Sequence, residues 1–281
     1  MKKSIISDQV SPDLNTALDL ISQSGYEYVD IHSAYGITIE DCTEEQVRAV
    51  KEALDARNLK CGCLASTIFF MCPLEEGDEI SLFKPEFKVT LGNVEDHLKA
   101  LERACHNADI LECDKIRAFP FRFPDNKTDE TTDREMDEIT DCLSRAAAIA
   151  EKHHKTIVLE NCPYSRCPKG EMTAQLVTRV NNPHLRLLWD PANSYRAVKS
   201  QVPDCYLTKS LMEEKETVLP LLGHLHAKSY QETPEKFMHK PLLEGDLDWP
   251  ALFRDIPVIC ALEPELTPEE AVADMKTFSA L

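Results

Sequence analysis

Eight short apolar runs, each followed by a stretch with helical apolar spacing, succeed one another along the whole chain. The runs fall at residues 4–7, 28–32, 60–66, 115–119, 156–161, 185–190, 224–228 and 258–263. An apolar run buried on both faces, joined to the next by an amphipathic helix, belongs in a parallel sheet covered by helices. Eight such pairs predict an α/β fold, a (β/α)8 TIM barrel, as one domain over residues 1–281. With 281 residues, 43% of them hydrophobic, the chain can bury so large a core.

Helix starts carry capping chemistry. Ser11 precedes Pro12, Thr43 has Gln46 three residues on, and Thr267 is followed by Pro268 and Glu270, marking helices one, two and eight. Val47, Val50 and Leu54, and later Leu98, Leu101 and Cys105, give their helices an apolar face for the sheet. Two long connections follow strand ends, 67–91 with Phe69, Phe70 and Met71, and 191–211. In a barrel these loops form the rim of the active-site mouth, so they are expected to act as lids. Phe69 and Phe70 suit either a lid or contact with a second copy in a homodimer.

The charge narrows the partners. There are 31 Lys and Arg against 49 Asp and Glu, a formal net charge of −18, which opposes nucleic acid and anionic membranes. No run of about eighteen apolar residues is present, and the opening MKKSIISDQVSPD has no secretory apolar core, so a cytoplasmic location is expected. The eleven cysteines show no repeated C-x-x-C spacing. Cys61, Cys63, Cys142 and Cys260 lie in apolar segments, and these, with Cys162 and Cys167, are read as buried thiols rather than zinc or redox sites.

Polar residues of ligand type close four successive runs: Glu160 in TIVLEN, Asp190 in LRLLWD, His226 in GHLHAK and Glu263 in VICALEPE. At the ends of neighbouring barrel strands these side chains converge, however far apart they lie in sequence. Three converging carboxylates repel one another unless a cation compensates them. With one imidazole they suit a single divalent metal, Mn2+ first, with Mg2+, Co2+ and Zn2+ also compatible. His224, His226 and Lys228 alternate along one strand and share a face. His226, nearer the C-terminal end, is taken as the ligand, His224 as a buried residue beneath it, and Lys228 as a rim residue contacting substrate or a neighbouring acid. His32 and Phe119 end their strands and are read mainly as packing.

These segments resemble the xylose isomerase-like barrel superfamily, particularly its sugar phosphate isomerase/epimerase branch. The resemblance rests on SPDLNTALDLISQSGYEYVDI, LEN, WDPAN, HLHAK, GDLDW and the final LEPE, and spans nearly the whole chain. It implies that Glu160, Asp190, His226 and Glu263 bind one metal, and that Glu160 and Glu263 are the catalytic acid/base pair. They would pass a proton through a metal-stabilised enediolate of a small sugar, sugar phosphate or sugar acid. Carboxylates with a free oxygen suit that work.

The free-ketose 3-epimerases of this resemblance have a His three after the Asp, an Arg six after the ligand His, and a Glu six after the first Glu. Here those places hold Asn193, Glu232 and Arg166. Arg166, Lys228 and Arg117 are therefore expected to receive a phosphate, carboxylate or other electron-rich group, with Asn161 and Asn193 orienting a ligand carboxylate or substrate hydroxyl. The alternative is a metal-dependent lyase or dehydratase of a keto-inositol or keto-glycoside. Two further readings are a non-catalytic barrel subunit and an AP-endonuclease-like repair enzyme, the last opposed by the acidic charge.

Overall fold

The structure is a computed structural model describing residues 1–82 and 87–281, so residues 83–86 of the first long connection lie outside the described residues. Eight strands are β1 (Lys2–Ile5), β2 (Tyr28–Ile31), β3 (Lys60–Ile68), β4 (Lys115–Ala118), β5 (Thr156–Glu160), β6 (Leu185–Trp189), β7 (Leu222–Ala227) and β8 (Ile259–Leu262). They form one parallel sheet in the order β1-β8-β7-β6-β5-β4-β3-β2, and a parallel bridge from Ile6 to Asp30 brings its two ends together. Helices follow in turn: α1 (Leu14–Gln23), α2 (Glu44–Asp55), α3 (Val94–Ile110), α4 (Asp133–Lys152), α5 (Gly170–Val180), α6 (Leu211–Val218), α7 (Trp249–Leu252) and α8 (Pro268–Ala280). This is the (β/α)8 TIM barrel that the alternating pattern predicts.

Caps behave as the local chemistry dictates at α2 and α8, where Thr43 pairs with Gln46 and Thr267 with Glu270. Helix α1 differs from expectation. It starts at Leu14, so its cap is Asp13, which accepts from Thr16 N–H at 2.8 Å, while the Ser11 hydroxyl reaches only the Asp13 amide at 3.2 Å. The first strand also sits earlier than the predicted 4–7, because the chain turns helical at Ser7–Val10.

Alternation along the strands sorts side chains between two cores. Leu159, Leu187, Leu225 and Leu262 pack outward in the layer shared with the helices, whereas Cys63, Val158 and Leu188 form a separate small cluster. A polar layer accompanies that cluster. Asp30 Oδ2 lies 2.7 Å from His224 Nε2, and Ser4 donates to Asp30 Oδ1 at 2.6 Å. Gly62 makes room for it, since a Cβ there would sit 2.7 Å from Asp30 Oδ1.

Beyond β3 and β4 the chain turns sharply at Phe69 and Phe121, both with φ of 62°, and their rings stack at 4.7 Å. The Phe69 N–H donates to His97 Nδ1 at 3.0 Å, which requires a neutral imidazole. Burial pushes the His97 pKa down to about 4 from an ordinary 6.5. The unfolded chain therefore binds the extra proton first, and the stability His97 contributes is complete above pH 6.5 and lost as pH falls towards 4. Wild type should lose about 2 kcal/mol between pH 7 and pH 5 from this group. Urea unfolding at both pH values checks this against His97→Gln, which keeps an acceptor but does not titrate. An equal drop in both proteins would clear His97 of the effect.

Candidate metal centre

Glu160 is the last residue of β5, Asp190 follows β6, His226 lies one residue before the end of β7, and Glu263 follows β8. The four strands are neighbours in the sheet. Their side chains meet at the C-terminal mouth, where one ligand atom from each lies within 4.8 Å of all the others. His226 is fully buried, with Nδ1 3.4 Å from Glu160 Oε1 and 3.6 Å from Glu263 Oε2, and neither ring nitrogen is hydrogen bonded. A buried imidazole without a partner is costly unless something else engages it.

The four groups also shift one another's titration. Burial disfavours the imidazolium of His226, but the adjoining Glu160 and Glu263 outweigh it and push its pKa up to about 10. Burial, reinforced by Glu160 and Glu263, pushes Asp190 up to about 6 against the pull of Lys228. Glu263 is held well below the ordinary range despite burial, by Lys228 and His226, and Glu160 is lowered by His226 and Arg117. Three carboxylates and an open imidazole fit one divalent cation, and the donor set does not choose among Mn2+, Mg2+, Co2+ and Zn2+.

The remaining residues named from sequence are placed unevenly. Lys228 stands beside the cluster, with Nζ 2.7 Å from Glu263 Oε2, 3.1 Å from Asp190 Oδ2 and 3.1 Å from Glu265 Oε1. The contact to Asp190 is an ion pair without hydrogen-bond geometry, so Asp190 Oδ2 is still short of a donor. Arg117 is buried, donating to Ser66 O, Ala65 O and, at 3.1 Å, Glu160 Oε2. The last of these bonds helps to aim Glu160. Asn193 donates to Glu160 Oε1 at 3.2 Å, and Asn161 pairs with the Asp190 backbone through both ends of its amide.

Arg166 is not brought to the cluster, which corrects the expectation that it meets substrate there. It is 1% exposed, with Nη1 2.6 Å from Glu135 Oε1 and Nη2 2.8 Å from Asp78 Oδ2. Two acids from distant segments consume its charge. Cys162 and Cys167 are buried free thiols that burial pushes up to about 12, which leaves them protonated and unreactive.

Above the cluster a cavity of about 270 Å³ is walled by residues of both long connections and of others. Phe70 and Phe87 come from the first connection, Asn193 and Arg196 from the second, Thr67 from the end of β3 and Phe119 from just after β4. Tyr164, His239 and Glu265 also line it, and sequence reading passed over all three, as it did Arg196. Arg196 had a readable signal: it lies one helical turn beyond Asn193, in a loop already assigned to the rim. His239 had none, because it reaches the cavity only through the hairpin of Ser229–Glu232 and Phe237–Lys240.

The family model described as xylose isomerase-like TIM barrel matches residues 18–272. The chain belongs to this family. No curated protein sequence matches it. Among solved structures, the xylose isomerase-like chain is similar to the IolI protein with a bound zinc atom, at 17% identity and TM-score 0.73 over 100% of this chain and 97% of that one. It also resembles the probable 3-DHS dehydratase AsbF of Bacillus anthracis, at 16% identity and TM-score 0.71 over 99% of each chain. A third is the 3-keto-D-glucoside 4-epimerase YcjR of E. coli, at 15% identity and TM-score 0.69 over 100% of this chain and 99% of that one. At such identities the likeness is one of fold. Among the described residues no helix is long and apolar enough to cross a membrane.

Proposed function

We propose that this chain is a divalent-metal-dependent isomerase or epimerase of a small sugar, sugar phosphate or sugar acid. The observation that carries the reading is the fully buried His226, with both ring nitrogens unbonded, enclosed by three carboxylates. Glu160, Asp190, His226 and Glu263 would hold the metal, Mn2+ by preference. A bound divalent ion supplies charge neutralisation for the carboxylates and acidity for the C–H beside a chelated carbonyl.

The chain's own groups perform the proton work. Glu160 and Glu263 stand on strands separated by β6 and β7, and both line the cavity, so they address a molecule there from two sides. One removes a proton and the other returns it. Arg117 lies between them, 3.1 Å from Glu160 and 3.7 Å from Glu263, and Asn193 holds the other oxygen of Glu160, so the pair keeps its aim. Thr67, Phe70 and Phe119 narrow the cavity above and limit water around the reacting carbon.

Elemental analysis of the purified protein tests the reading. Wild type should carry about one divalent ion per chain, and Glu160→Gln, Asp190→Asn, His226→Ala and Glu263→Gln should each lose or sharply weaken it. Wild type that stays metal-free after incubation with Mn2+, Co2+ and Zn2+ would sink the mechanism. Product mass separates the rival lyase, which begins with the same proton abstraction and then expels water.

A further inference from the structure

Among the described residues, three cationic side chains line the cavity, and two are spoken for. Arg117 is spent on Glu160 and two backbone carbonyls, and Lys228 on three carboxylates. Arg196 is different. No described carboxylate pairs with it, and its guanidinium carbon sits 5.0 Å from the Tyr164 ring centre and 4.8 Å from that of Tyr230. Nη1 donates to the Tyr164 hydroxyl at 3.1 Å, whereas among the described residues Nε is buried without a partner and no acceptor is hydrogen bonded to Nη2. Two rings and a phenol thus fix the plane of the guanidinium and leave its Nε–Nη2 edge, a two-donor fork, unused.

We infer that Arg196 is the recognition residue for a carboxylate on the substrate, so that the molecule bound above the metal cluster is a sugar acid rather than a neutral sugar. This deepens the proposed function and rests on it for the metal. A planar carboxylate matches the guanidinium fork with two parallel hydrogen bonds. Charge agrees. Arg117, Arg196 and Lys228 face Glu160, Asp190, Glu263 and Glu265, and a divalent ion added to these leaves one net positive charge, which a monoanion cancels. His239, also at the cavity, is biased by burial towards its neutral form. The aromatic wall of Phe70, Phe87 and Phe119 lines the same cavity and offers an apolar surface to the body of the ligand.

The test uses calorimetric binding to the Mn2+-loaded protein with three probes: D-gluconate, D-glucitol and D-glucose 6-phosphate. Gluconate should bind at least about tenfold more tightly than glucitol. Arg196→Met should remove that advantage, and Arg196→Lys, which keeps the charge but not the fork, should retain only part of it. Glucitol binding, metal content and thermal midpoint should stay unchanged in both variants. Equal binding of gluconate and glucitol, or no binding of gluconate, overturns the assignment, as does loss of glucitol and gluconate together in Arg196→Met. Preference for glucose 6-phosphate over gluconate assigns the fork to phosphate and overturns it too. Elemental analysis of the same samples keeps the two readings apart: Arg196-dependent gluconate binding to protein that holds no metal refutes the metal centre and leaves this assignment standing.

Discussion

Glu160→Gln and Glu263→Gln, each assayed with saturating Mn2+, are expected to slow deuterium exchange from solvent into keto-sugars and their acids by about 10²- to 10⁴-fold. Glutamine preserves the shape of each side chain and abolishes its basicity, so in samples whose metal content matches wild type under saturating Mn2+ the loss reports proton transfer rather than packing or an empty metal centre. The two should differ in detail. Glu263 is the nearest acid to Lys228, at 2.7 Å, so its amide leaves that ammonium to Asp190 and Glu265 alone. Glu160 keeps Asn193 and Arg117 as neighbours whichever group stands there. Exchange followed by proton NMR in D2O decides the matter, and variants that exchange within about twofold of wild type would remove these residues from the reaction.

Arg166→Met should cost about 3 kcal/mol of stability, and lower the thermal midpoint by roughly 5 °C, because it strands two buried acids. The Asp78 side chain is 1% exposed and that of Glu135 5%, and Arg166 is bound to both. Lys127 also faces them, 3.2 Å from Asp78 and 2.8 Å from Glu135, which keeps the expected loss near the lower end for a broken buried pair. Gluconate affinity of the folded variant should be unaffected. A variant with a normal midpoint and weakened gluconate binding would restore Arg166 to the substrate.

That residue also marks where sequence reading stops. The convergence of Glu160, Asp190, His226 and Glu263 was legible because an apolar run in a barrel strand has two faces, and a polar residue at its end inherits a known direction. The direction of a loop residue is inherited from nothing. Arg166 lies six residues past Glu160, and its fate depends on Asp78 and Glu135, 88 and 31 residues away. Arg117 shows an intermediate case. Its strand sends it inward as the pattern implies, but the open carbonyls of Ala65 and Ser66, which occupy it, depend on how β3 bends beside it. The start of the chain slipped for a local reason, since Ile5 and Ile6 suggested a strand over 4–7, whereas the strand is Lys2–Ile5 and the chain turns helical over Ser7–Val10.

The barrel divides its labour by position around the ring. The three acids and the imidazole come from β5 to β8, while the aromatic wall of Phe70, Phe87 and Phe119 belongs to the segments after β3 and β4. The first group is anchored in strands that cannot shift without breaking the sheet, and the second is carried on connections that tolerate changes of length and residue. Inheritance can therefore act on the two halves separately. A lineage that rewrites the β3 and β4 connections alters which molecule fits the cavity, and the carboxylates on the far side of the ring remain where they were.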